Sequence, residues 1–589
     1  MYSFCMEECV KGYLASMESE KSVLWNRKKD LALAYMQRRL KEVGDIGGVQ
    51  LHTGYSIAQF SYVSGGIMSS VVPRDGNWFS LTTYGAGSGK KLERSFNIRT
   101  KEEEKNYGLQ VEGKKQRKEQ RKRYQEDIKL MTDTDGAMDF FEYCTQMVLM
   151  TFLDSGYYDV KTEVVKDSLC TGIGYIAIEE DEAKKKIWYQ CLSPKECCYR
   201  RDENGKVESF GRRWKMSAYD IFMHWGKERC PKVVLDCIKN GNTGNKFEVC
   251  EIVVPQGVLY DDSLNKVVLG KESDKYAVAI WISETSEYIF TGSTNRMPIA
   301  VMMFEGDGDN QYGKGMVENA IDSIIDLDEM EKERQILRKR TSNPPWAVHS
   351  SISRTVSFKN DALNVVPSMD MIPQPIQMPN NYSELLNDIE SKKAEIRQLL
   401  FVDVFQTLMA SNDTRRTAAE VNLRKMESAQ LMQQAIGNME GVTCTEVMQT
   451  LGLLMMQGKI ASPSEEVAKL IPYLTMIFSS SFIQMKNSFW MAEGNAAFVN
   501  FVIQLAGVYP DIMDIIDMDI ETQMIAVAYG QSQYAIREKS EIEEIRKQKA
   551  ELAQMQMQMQ MQQMQSQTNM NNAKADQAYA QGQQAQQQQ

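Results

Sequence analysis

The segment closest to a phosphate-binding motif is Gly85-Ala-Gly-Ser-Gly-Lys-Lys91. A phosphate loop that hydrolyses nucleotides needs a glycine five positions before its Gly-Lys pair and a Ser or Thr hydroxyl after it to hold magnesium. Tyr84 and Lys91 occupy those two positions, so the stretch reads as a flexible strand connector. The three histidines, His52, His224 and His349, are far apart, with neither an HExxH nor a CxxC spacing around them. Cys191, Cys197 and Cys198 lie close together, yet a zinc site wants four well-spaced ligands; they read as buried thiols. Asp307, Asp309, Asp326 and Asp328 carry the hard oxygens that suit a divalent cation, but they crowd the start of a helix, where electrostatics accounts for them. No nucleophile–base pairing is legible. The chain does not read as an enzyme, and no catalytic, cofactor-binding or metal residue is assigned.

Composition bounds the rest. The chain has 589 residues, room for several domains or one elaborate subunit, and 43% hydrophobic with 9% aromatic residues supports real cores. Its 11 cysteines form no obvious framework, and the N-terminus lacks a signal-peptide pattern, so free thiols in a reducing cytoplasm are expected. No run of about 18 apolar residues is present to span a membrane. The net charge of −11 disfavours a protein that grips DNA statically by its phosphates. It remains compatible with one past which DNA slides.

The elements that would position any site fall in an α+β order. Residues 1–60 read as helices that stop at Gly44 and Gly47-Gly48, followed by a small-residue helix, a turn at Pro73–Asn77 and a strand from Trp78. Lys101–Arg123 is densely charged and reads as a solvated face or connection rather than a nucleic-acid patch. Asp139–Ser155 reads as helix. Residues 158–300 alternate β-branched and aromatic runs with turn residues, giving strands such as Val160–Val165, Lys206–Trp214 and Ala277–Ile282.

The most organised segment runs from Gly306 to Trp346. Gly306, Gly308, Gly313 and Gly315 lead into an amphipathic helix, with Glu318, Asp322, Asp326, Asp328 and Glu329 at its start and Arg334, Arg338, Lys339 and Arg340 at its end. Its apolar stripe is Val317, Ile321, Ile324, Ile325, Met330, Ile336 and Leu337, and Asn343-Pro344-Pro345 stops it. Six of the 14 prolines fall between Pro344 and Pro379, so that lobe is not helical, and Trp346–His349 and Asn364–Val366 look strand-like. A second helix starts near Asn381, a plausible N-cap with Glu384 three residues on. After the polar loop Leu408–Arg416, a capping box at Thr417 and Glu420 opens a long helix towards Gly458, with a kink expected at Gly437 and Gly441. Residues 463–550 read as helical. The Met/Gln tail from Gln554 suits neither a helical stripe nor a strand and is expected to be disordered, or helical only in company.

The tyrosine-glycine-x-glycine entry, the acidic helix and the terminal asparagine with two prolines resemble the head-to-tail connector, or portal, family of short-tailed bacteriophages. Ser61–Phe79, Gly172–Glu180, Leu192–Glu196 and Thr417–Val421 resemble further segments of that family in the same order, so the similarity covers most of residues 20–550. It implies a wing over 1–305, a first stem helix over 306–343, a clip over 344–380 and a second stem helix over 381–402. It further implies a channel loop over 403–416, a long kinked wing helix over 417–460, a helical crown over 461–553 and a tail over 554–589. The functional expectation is a homo-dodecameric ring at one capsid vertex of the virion, assembled in the host cytoplasm. Double-stranded DNA would pass through it during packaging and ejection, without any cofactor. The partners implied are the terminase packaging motor, major capsid and scaffolding proteins, and tail adaptor proteins, with no membrane. Ser411, Asn412, Asp413, Thr414, Arg415 and Arg416 would approach DNA, and Pro344, Pro345 and Trp346 would form the docking clip. Two rivals are a packaging-motor subunit, which the absent phosphate loop disfavours, and a helical internal scaffold or ejection protein, which poorly explains the strand-rich 158–300 body.

Overall fold

A computed structural model describes residues 2–38, 51–74, 76–83, 135–181, 185–259, 268–308, 310–354, 356–358, 363–376, 382–409, 433–461, 463, 467–468, 471, 474–478, 494–506 and 539–586. The chain divides into two units, Met1–Lys486 and Asn487–Gln589. The first is an α+β body of stacked layers. Helices α1 (Tyr2–Leu24), α2 (Arg27–Tyr35) and α3 (Tyr55–Val71) precede strand β1 (Phe79–Thr83) and helices α4 (Asp135–Asp154) and α5 (Tyr157–Thr171). Strands β2 (Ile173–Asp181), β3 (Lys186–Leu192), β4 (Cys197–Arg201) and β5 (Val207–Ser217) follow, then α6 (Ala218–Arg229) and α7 (Lys232–Lys239). Next come β6 (Lys246–Pro255), β7 (Tyr276–Ile282), β8 (Tyr288–Thr294) and β9 (Ile299–Met303).

Two antiparallel sheets carry the body. One is the meander β4-β5-β6-β7-β8; the other has the order β3-β2-β9. Strand β2 is buried on both faces, as its nearly unbroken apolar run requires. Ile176 and Ile178 join the helical core of α3, α4 and α5. Ile173, Tyr175 and Ala177 face Tyr199, Phe210 and Val253 of the meander. The far side of the meander is covered by Val10, Leu14 and Met17 of α1.

The structure corrects several sequence expectations. Val160–Val165 lies inside α5, not in a strand. Tyr157, Lys161, Val164, Asp167 and Leu169 are all buried, so the helix has little of the polar face that periodicity detects. Helix is interrupted within 463–550 by strand β14 (Leu474–Phe478), which pairs with β1 in the register Phe79↔Phe478. Leu81 N–H donates to Thr145 Oγ1 of α4 at 3.1 Å, so β1 is held from both sides.

The second unit contributes helix Gly494–Ala506 and a helix of 48 residues, Lys539–Gln586. The described part of the tail, up to Gln586, is helical. Every side chain from Glu551 to Ala575 is exposed in the single chain.

Candidate functional site: a helix pair carrying a proline-rich lobe

The glycine-rich segment folds first as a hairpin, β10 (Glu305–Asp307) with β11 (Asn310–Lys314), and helix α8 begins only at Met316, running to Ser342. Two of the four glycines are needed for close backbone approach. A side-chain carbon at Gly315 would collide with the Cys170 carbonyl, and Gly313, at φ +60, packs against Glu305. Gly306 and Gly308 face open space. The end of α5, the hairpin and the start of α8 thus meet backbone to backbone.

The acids of α8 have specific partners beyond the helix dipole. Glu318 accepts the Gly315 N–H at 3.2 Å and the Lys29 ammonium at 2.8 Å, with both side chains buried. Lys29 also donates to the carbonyls of Gly313, at 2.6 Å, and Thr171. This lysine was invisible to motif reading, because one buried cation in a polar stretch, Arg27-Lys28-Lys29-Asp30, has no distinguishing signal. Asp328 accepts the His52 and Thr53 N–H groups at 2.6 and 3.1 Å and faces His52 Nδ1 at 2.9 Å. Asp326 faces Lys392 at 3.4 Å. The Asp307 side chain and Asp309 lie outside the described residues.

Helix α9 (Tyr382–Leu399) returns antiparallel along α8. Ser323 donates to Glu395 at 2.7 Å, and Lys393 pairs with Glu331 at 3.6 Å. Val317, Ala320, Ile321, Ile324 and Leu327 on α8 and Ile389 and Ile396 on α9 are buried. Beyond Glu331 no residue of α8 is buried, so its last three turns, with Arg338, Lys339 and Arg340, project from the body. After Phe401, at φ +52, helix α10 (Val402–Met409) occupies the start of the expected 403–416 loop. Helix α11 (Gln433–Met456) runs through Gly437 and Gly441 without a break in its helical span. Ser411, Asn412, Asp413, Thr414, Arg415 and Arg416, the caps at Asn381, Thr417 and Glu420, and the segments Gly85–Lys91 and Lys101–Arg123 lie outside the described residues.

The lobe at the far end of the pair is small. Asn343 ends α8, and Pro344-Pro345 deliver β12 (Trp346–Ala347), which pairs with β13 (Gln374–Pro375); Ile376 N–H donates to the Pro345 carbonyl at 2.8 Å. Asn364–Val366 is not a strand; instead Asn364 bridges the Ser357 N–H and carbonyl at 2.7 and 2.8 Å. Among the lobe's described residues only Ile352 is buried. Trp346 stacks on Phe358 at 5.3 Å, and both remain exposed, as do Leu363, Val365, Met369, Ile372 and Ile376.

The other candidates stay apart. Cys197 and Cys198 are buried on opposite faces of β4, and burial pushes the Cys198 thiol up to about 12. Cys191 donates to Asp167 at 3.4 Å. His224 packs edge-on to Trp188 and Trp225, and His349 Nδ1 lies 2.7 Å from Ser351 Oγ in the lobe. These groups do not converge on one site.

Residues 117–536 match the family model described as bacteriophage head to tail connecting protein, well over half of the chain. The chain belongs to that connector family. Two curated relatives extend the likeness. The portal protein of Salmonella phage epsilon15 is 21% identical over 451 residues, covering 72% of this chain and 78% of its own length. The probable portal protein of Bordetella phage BPP-1 is 20% identical over 427 residues, covering 70% of this chain and 74% of its own. In this connector the glycine hairpin, the α8–α9 pair and the lobe all fall inside the matched residues.

Proposed function

We propose that this connector is a portal protein, a non-enzymatic subunit that closes with further copies into a ring at one capsid vertex, twelve being the number the family resemblance implies. The observation that carries this reading is the projecting α8–α9 pair with its lobe. Among the described residues of the lobe, seven large apolar side chains are exposed around a single buried one, which suits a surface completed by neighbours and not a free monomer. A second exposed stripe, Tyr143, Met150 and Leu153 on α4, is spaced for one helix face and gives the body a further contact surface.

In this arrangement the paired helices 316–342 and 382–399 form the channel wall, and the 411–416 segment approaches the duplex. The net charge of −11 keeps phosphates from sticking, so DNA passes with few points of friction. The lobe around Pro344, Pro345 and Trp346 docks the packaging motor, then the tail adaptor, while the body meets capsid and scaffolding proteins. Nothing in this role requires a cofactor. Electron-microscopy class averages of the purified full chain test it. A closed ring with a central hole wide enough for duplex DNA is expected. A folded, strictly monomeric species at micromolar concentration overturns it.

A further inference from the structure

The N-terminal ends of two helices and the C-terminal end of a third meet at Lys29 and Glu318. Asn26 is the N-cap of α2: its side-chain oxygen accepts the Lys29 N–H at 3.1 Å, and its Nδ2 donates to Glu318 Oε1 at 2.5 Å. Glu318 closes the first turn of α8 by accepting the Gly315 N–H at 3.2 Å. The caps of α2 and α8 are thus bonded to each other, and the carboxylate is held between the positive ends of both helices. The Lys29 ammonium, 2.8 Å from Glu318 Oε2, donates to the Thr171 carbonyl at the negative end of α5 and to the Gly313 carbonyl of β11. Lys29 is fully buried and Glu318 is 4% exposed, so these bonds do not compete with water.

We propose that Lys29 and Glu318 are positioning residues that fix the axis of α8 against the body and, through that axis, the number of copies that closes the ring. The inference rests on the ring reading. Apolar contact is non-directional, so Val317, Ile321, Ile324 and Leu327 hold α8 to the body without fixing where it points. Hydrogen bonds weaken steeply as they bend, and at this joint they tie α8 to α2, α5 and β11 at once. The joint also lies at one end of a lever. The 27 residues of α8 extend about 40 Å, so a tilt of about 2° at Met316 moves the far end by more than about 1 Å. In a closed ring each copy turns by a full circle divided by the subunit number, and passing from twelve copies to thirteen changes that turn by only about 2°. A small error of direction at the joint is therefore enough to close a different ring.

Native mass spectrometry of rings purified from the full chain tests it. Lys29→Met/Glu318→Gln removes both charges together, so none is left buried and unpaired, and a glutamine can still accept the Gly315 N–H. Lys161→Met/Glu446→Gln removes the other fully buried pair, between α5 and α11, and serves as a matched change in the core. The unaltered protein and the core variant should each give one subunit number. The joint variant should spread over at least two, with the original number falling by about twofold or more. A single, original number from the joint variant overturns the proposal. The same spread from both variants, or from the unaltered protein, overturns it too. Should the joint variant close no ring, Asn26→Ala carries the test, because it removes the bond between the caps and leaves the ion pair in place; rings of the original number alone then overturn the proposal. Absence of any ring from the unaltered protein overturns the ring reading together with it.

Discussion

Single residues decide how the body is joined to its projecting helices. Gly315→Ala should destabilise the protein by about 1–3 kcal/mol, because the methyl meets the Cys170 carbonyl and backbone must shift. Gly306→Ala, facing open space, should stay within about 0.5 kcal/mol, and urea midpoints compare the two. Lys161 and Glu446 form an ion pair at 2.7 Å with both side chains fully buried, and Tyr157 donates its hydroxyl to the same carboxylate. Glu446→Gln leaves the ammonium unpaired and should cost about 3–5 kcal/mol, read as proteolysis of α11 in urea. Adding Lys161→Met removes the stranded charge and should recover most of the loss. Burial first, then the neighbouring Glu251, raises the Glu179 carboxyl to about 7. A raised carboxyl favours the protonated form, so its penalty is absent below the ordinary pKa of 4.5 and grows as pH rises towards 7. Glu179→Gln should therefore raise the melting temperature more at pH 8 than at pH 5, and an equal shift at both would count against this. The glycine run and the acidic helix start were legible because spacing marks them. Lys29, Lys161 and Glu446 were not, since an isolated charge reveals its burial only once elements from distant parts of the chain pack around it.

At the scale of elements, the proline pair sets the direction in which α8 gives way to the lobe. Pro344→Gly with Pro345→Gly frees the exit while leaving the buried half of α8, up to Glu331, untouched. Ring formation should survive, and affinity for the packaging motor and tail adaptor should fall about tenfold or more; unchanged affinity for both would place docking elsewhere. The amphipathic α8, the strands β5 and β7 and the helical span of α4 were readable from residue pattern, whereas β2, buried on both faces, was marked only by its resemblance to the family. Helix α5 was misread because it is buried nearly all round. Strand β14 was missed because Leu474-Thr-Met-Ile-Phe478 is a short apolar run whose strand character comes from its partner β1.

For the molecule as a whole, the described cores of the body close within one copy, whereas the lobe and the α4 stripe of Tyr143, Met150 and Leu153 leave apolar surface open. That division suits a subunit which folds alone and then finds its neighbours. The order of events is further set by the pairing of β1 with β14, in which Thr475 donates its hydroxyl to the Thr82 carbonyl across 393 residues of chain. On a ribosome adding 5–20 residues per second, β1 waits roughly 20–80 s for that partner to be synthesised. Its edge stays open through that interval, exposed to pairing with strands of other nascent chains. The edge of β1 can therefore close only once residue 478 has been made, so a subunit terminated before that point carries an unsatisfied strand.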